Sequence, residues 1–167
     1  MNGSVKELIS VLLKEETLHN QLIKIATAMK SAIMNNESSA VILFSQKFDE
    51  ITAQIIDLEK SRLNLSDTIA CALLPNPIHL NLREIINLIE NKDLKKELTL
   101  RRSMLKKAIS KFSEINSDNT ILLQEKISDI DSNVKIIMEN VRKPAAYNKS
   151  GSMSKNRNES SLFNTTA

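Results

Sequence analysis

Glycine is almost absent. Only Gly3 and Gly151 occur in 167 residues, so no glycine-rich loop can wrap backbone amides round a phosphate, which excludes the nucleotide-binding classes built on such loops. Aromatic residues make up 3% of the chain and Trp is missing; an all-β sandwich would carry more aromatics and far more turn glycines. The lone cysteine, Cys71, cannot close an intramolecular disulfide. His19 and His79 are isolated from each other and from Cys71, and no His-x-x-x-His, Cys-x-x-Cys or His-Glu-x-x-His spacing occurs. No metal site and no cofactor are therefore expected. No apolar run approaches the roughly 18 residues that cross a bilayer. The N-terminus has no basic segment followed by an apolar core. The expectation is a cytoplasmic protein with no membrane insertion.

Charge is also scarce in excess. The net charge is +3, with seven basic and nine acidic side chains in residues 1–75, thirteen and ten in 76–143, and three and one in 144–167. No region is a polyelectrolyte, so nucleic acid is not demanded as a partner. The basic cluster Lys92, Lys95, Lys96, Arg101, Arg102, Lys106, Lys107 and Lys111 lacks interleaved aromatics to stack on bases and is interrupted by Asp93 and Glu97. It reads better as a solvated helix face. Glu15 with Glu16, and Asp129 with Asp131, likewise read as solvated faces rather than as catalytic carboxylate pairs, so the expectation is not an enzyme.

What the chain does hold is helical periodicity. Alternate steps of three and four residues give Val41, Phe44, Phe48, Ile51, Ile55, Leu58, Arg62, Leu65, Ile69 and Ala72, nine of the ten apolar. That spacing marks a helix packed along a seam, roughly 48 Å long. Arg62, the one charge in it, is expected to find a carboxylate or to set register. Before the ladder, Val5, Leu8, Ile9, Leu12, Leu13, Leu18, Leu22, Ile25, Ala26, Met29 and Ile33 recur at helical spacing. They predict a first helix over residues 4–35, with Ser4 as N-cap and Glu7 completing a capping box. The connector between the two is short, which forces an antiparallel αα-hairpin.

Pro75 and Pro77 stop the ladder. Asn81 with Glu84 predicts a short helix, with Leu82, Ile85, Ile86, Leu88 and Ile89 inward and its end near Asn91. Asp93 is read as the cap of the next helix, whose stripe runs through Leu94, Leu98, Leu105, Ile109, Phe112, Asn116, Asn119, Leu123, Ile127, Ile130, Val134, Ile137 and Val141. Residues 116–119 have weak helix propensity, but the stripe keeps phase through them, which favours one helix of roughly 70 Å. Its second half should overhang the hairpin with its stripe uncovered. Pro144 ends it. The fold class is thus all-α, an elongated coiled-coil-like bundle of an antiparallel hairpin, a short helix and a long C-terminal helix. Residues 1–143 form the helical domain, and the Ser- and Asn-rich residues 144–167 form a tail expected to be disordered when free.

Three patterns, in order, carry a resemblance: Leu58-Glu59-x-x-Arg62, Asn116-x-x-Asn119-x-x-Leu122-Leu123 and Tyr147-x-x-x-Gly151. Together they resemble the FlgN family of flagellar type III export chaperones over about residues 5–151. Residues 75–91 and the Ser- and Asn-rich end match nothing in that pattern. The resemblance implies a cytoplasmic chaperone that binds helical termini of the hook-associated proteins at the hook-filament junction. It would keep them from assembling early and deliver them to the export gate. In that picture Asn116, Asn119, Leu123, Ile127, Ile130, Val134, Ile137 and Val141 bind cargo, and Tyr147 docks on the cytoplasmic domain of the gate. A stripe with no partner in the same chain is suited to an amphipathic helix from another. The competing readings are a core or homodimer seam for the stripe, a solvated tail residue for Tyr147, a self-associating structural coiled coil, and a nucleic-acid adaptor using residues 92–111.

Overall fold

The computed structural model describes residues 2–74 and 80–142, with side chains up to residue 139. Among the described residues the regular structure is all helical: α1 (Asn2–Met34), α2 (Ser38–Leu73), α3 (Leu82–Leu88) and α4 (Lys92–Arg142). It divides into two units at Glu125 and Lys126.

In the first unit α1 and α2 form the antiparallel hairpin. Glu15 of α1 meets Arg62 of α2, while Val5 and Leu8, nearer the start of α1, share a cluster with Ile69, nearer the end of α2. The turn between them is a Schellman motif. Asn36 takes the left-handed conformation at φ 59°, the Glu37 amide donates to the Ala32 carbonyl at 2.9 Å, and the Asn36 amide donates to that of Ile33 at 3.2 Å. Asparagine tolerates this backbone better than most residues, which is why the chain can reverse here without glycine. At the far end Leu74 is extended (φ −126°, ψ 139°), as the residue before Pro75 is biased to be.

The start of α1 differs from expectation. The helix already includes Asn2, so Ser4 is a helical residue rather than the cap, because extending a formed helix by another turn is far easier than starting one. At α3 the Asn81–Glu84 capping box is present in both directions: Asn81 Oδ1 accepts from the Arg83 and Glu84 amides, and Glu84 accepts from the Asn81 amide at 2.8 Å. The cap of α4 is Asn91 and not Asp93. Its Oδ1 accepts from the Asp93 and Leu94 amides, each at 3.1 Å. Asp93 instead adds negative charge to the first turn, where the helix dipole favours it. Because α3 ends at Leu88, the cap falls two residues earlier than the sequence suggested, and Leu88 itself is exposed.

The short helix, without a role in the sequence pattern, closes the core. Ile85, Ile86 and the following Ile89 pack with Val5, Leu8, Ile9 and Leu12 of α1, Ile69 of α2, and Leu94, Leu98 and Leu105 of α4. The ladder of α2 is less covered than its regularity suggests. Val41 to Leu65 are half-buried, Ile69 is buried and Ala72 is exposed, while Ser66 and Ala70 are buried instead. A strict period of 3.5 drifts about 20° per heptad round a straight helix. The ladder leaves the buried face at its last step, Ala72. The same geometry leaves Ile109 of α4 exposed and buries Ala108.

α4 continues without a break through Asn116 and Asn119. Over the first unit it runs parallel to α1: Arg101 lies 3.5 Å from Glu16, Asp118 accepts from Lys30 at 2.7 Å, and Asn119 reaches Ala26.

Candidate partner-binding surface

Within the first unit the sequence-flagged polar groups are used to hold helices together. Arg62 donates through Nε to Glu15 Oε1 at 3.1 Å and through Nη2 to Glu59 Oε1 at 2.9 Å. The Leu58-Glu59-x-x-Arg62 pattern is therefore a helix-surface pair turned toward a second, buried carboxylate. Glu15 is 3% exposed, which corrects its reading as part of a solvated face. Taking step with Arg62 across the seam, it falls on the same side of α1 as Leu8, Leu12 and Leu22. Its pKa is raised by burial, against which the Arg62 charge and hydrogen bond pull it down. Glu16 is half-buried against Arg101.

Asn119 is 2% exposed. Its Nδ2 donates to the Ala26 carbonyl at 2.8 Å, and its Oδ1 is buried with no hydrogen-bond partner among the described residues. Asn116 is half-buried, as is Leu123. The two asparagines thus lie on the packed side of α4, as the stripe predicts, and the buried amide is committed to α1.

In the second unit the described chain is the last part of α4. There Ile127, Ile130, Val134 and Ile137 are 58%, 60%, 44% and 61% exposed. Steps of three and four place them on one side of a helix, with Asp129, Lys135 and Glu139 on the remainder and Lys126 at the edge of the stripe. Met138, one turn beyond Val134, is exposed on the same side. The sequence reading passed over it, although its spacing of four from Val134 was the signal. Val141 belongs to the helix but its side chain lies outside the described residues, and Tyr147 lies outside them entirely.

Among the described residues no group of His, Cys, Asp and Glu is arranged to hold a metal ion, and no helix is long and apolar enough to cross a membrane. Part of the basic cluster is engaged locally: Lys95 donates to the Asn87 carbonyl at the end of α3, Arg101 pairs with Glu16, and Lys111 pairs with Glu114.

The family model described as FlgN protein matches residues 1–155. No curated protein and no solved structure matches the chain.

Proposed function

The chain belongs to the FlgN family of flagellar export chaperones, and from that premise we propose that its cargo is the helical terminus of a hook-associated protein, received on the α4 stripe of Ile127, Ile130, Val134, Ile137 and Val141 with Met138 beside it. The observation that carries this reading is the exposure of that stripe. A monomer gains nothing from four large aliphatic side chains left in water, whereas each is worth about 1.5–3 kcal/mol when covered. An amphipathic helix laid along the stripe covers them at matching pitch. Held in this way, the cargo terminus is denied to other subunits until delivery.

Residues 1–143 are the chaperone domain in this reading, and residues 144–167 are a tail that offers Tyr147 to the cytoplasmic domain of the export gate. Tyrosine brings a large ring and a hydroxyl at low entropic cost, which suits a short linear motif. Asn116, Asn119 and Leu123 set the register of the helix that carries the stripe.

Titration calorimetry with a hook-associated protein and with the gate domain tests the division. Ile130→Asp with Val134→Asp should abolish cargo binding while leaving the thermal melt nearly unchanged, because both positions are exposed. Tyr147→Ala should keep cargo affinity within about threefold and weaken the gate. Undiminished cargo binding in the double variant, together with loss of a concentration-dependent dimer in sedimentation, would instead assign the stripe to self-association.

A further inference from the structure

We propose that the first unit carries a second docking site, a cavity walled by all four helices, whose occupant is an acidic amphipathic helix of a partner protein. The cavity has a volume of about 380 Å³ and is lined by Leu12 of α1, Arg62 of α2, Leu82 of α3, and Arg102, Leu105, Lys106, Ile109 and Ser110 of α4. The lining divides by chemistry. Half-buried Leu82 and exposed Ile109 give it apolar surface above the buried Leu12 and Leu105, and three cations line it with no carboxylate among the lining residues.

The cations are not equivalent. Arg62 is already neutralised by Glu15 and Glu59. Arg102 and Lys106 pair with no carboxylate among the described residues, so they hold the surplus positive charge. They sit one turn apart on α4, about 6 Å along the axis, and Leu105 and Ile109 repeat that interval beside them. Ile109 is an exposed aliphatic side chain next to two unpaired cations.

That pattern selects its ligand. A bare phosphate would satisfy the cations but leave the apolar surface wet, and the N-terminus of α4, at Lys92, is too far back to lend backbone amides. A partner helix with two carboxylates four residues apart, and two aliphatic residues four apart beside them, matches both rows at their own spacing. Lys96 and Lys107 along the same helix add a positive field that draws such a segment in. The site is separate from the stripe of residues 127–141 and does not depend on that stripe receiving cargo.

The test uses the full chain and fluorescence anisotropy with two labelled synthetic helices, one repeating Glu and Leu at a spacing of four and one with Lys in place of Glu. The acidic helix should bind and the basic one should not, with affinity falling as salt rises. Arg102→Glu with Lys106→Glu should weaken binding at least about tenfold, and Ile109→Ser should weaken it with every charge retained. Both sites are solvent-accessible, and circular dichroism should show unchanged helix content. Lys92→Glu with Lys96→Glu, on the same helix but outside the cavity, should cost less than about threefold. Ile130→Asp with Val134→Asp should leave this binding intact, which separates its failure from failure of the cargo reading. Equal losses from the two charge reversals, indifference to Ile109→Ser, or tighter binding of inorganic phosphate or anionic vesicles would each overturn the proposal.

Discussion

Replacing Arg62 by Met should destabilise the fold by an amount that depends on pH. Glu15 Oε1 receives the Arg62 Nε at 3.1 Å, and the Glu15 side chain is 4% exposed against 21% for Arg62. Removing one member of a buried ion pair costs about 3–5 kcal/mol, because the other charge is left without compensation. The partial exposure of Arg62 argues for the lower end, about 3 kcal/mol near neutral pH. The Glu15 pKa is raised chiefly by burial, with Arg62 opposing. The folded state therefore holds this proton more tightly than the unfolded chain does. Stability from this group is fully present below the unfolded pKa, is lost as pH rises through the folded pKa, and the penalty on the ionised form is complete above it. In Arg62→Met the opposing attraction is gone, so the pKa of Glu15 moves further up and the variant recovers part of its loss on acidification. Urea unfolding followed by circular dichroism, at about pH 8 and about pH 5, should show a penalty that shrinks at the lower value. Adding Glu15→Leu should restore stability to within about 1 kcal/mol of the parent, since an apolar pair of similar volume replaces a desolvated ionic one. A penalty identical at both pH values, or a double variant no better than Arg62→Met, would refute the argument.

Other perturbations probe the remaining devices. Asn81→Ala removes the side-chain half of the α3 capping box, the Oδ1 that accepts from the Arg83 and Glu84 amides, while the residue-81 amide can still donate to Glu84. It should cost about 1 kcal/mol in urea unfolding, with faster amide exchange at Ile85 and Ile86. Asn119→Leu exchanges one hydrogen bond and one buried unpaired oxygen for an apolar side chain, and should hold stability within about 1 kcal/mol; a loss above about 3 kcal/mol would show that the bond to Ala26 outweighs the orphaned atom. Ile69→Ala, at a buried position, should cost about 2–5 kcal/mol, and Ile55→Ala, at a half-buried one, clearly less; equal losses by calorimetry would mean that the ladder stays on the packed face along its whole length.

The elements themselves were legible because their signals are local. Periodicity located all four helices, the prolines fixed the end of α2, and the Asn81 and Glu84 pair announced α3. The two misplaced caps share a cause. Ser4 and Asp93 are good capping residues that lie inside the first turn, and one-dimensional reading cannot tell a cap from an early helical position when the chain already holds a helix one or two residues sooner. Glu15 was misread for a different reason. Its neighbour Glu16 made the pair look like a solvated face, and nothing in the sequence within a turn of Glu15 reveals that Arg62, 47 positions away, comes to meet it. Of the candidate site, Ile127, Ile130, Val134 and Ile137 were readable as one side of a helix, but whether that side is covered depends on where the rest of the chain goes.

The ladder and the cavity follow from the same mismatch of periods. Had α2 supercoiled with a partner, its three-four alternation would have stayed on the seam to Ala72. Instead Ser66, Ile69 and Ala70 are buried at its end, the pattern of a straight helix at 3.6 residues per turn. The reason lies in α3. Ile85 and Ile86 enter the cluster beside Ile69 together with Val5 and Leu8 of α1, so the last turns of α2 are shared between α1 and the short α3 rather than packed along a single seam. Closing the core in this way leaves a corner where four helices meet without filling the space between them. Arg62 and Leu82 border that corner together with Arg102 and Ile109, and the charge left over there is what gives it a ligand preference.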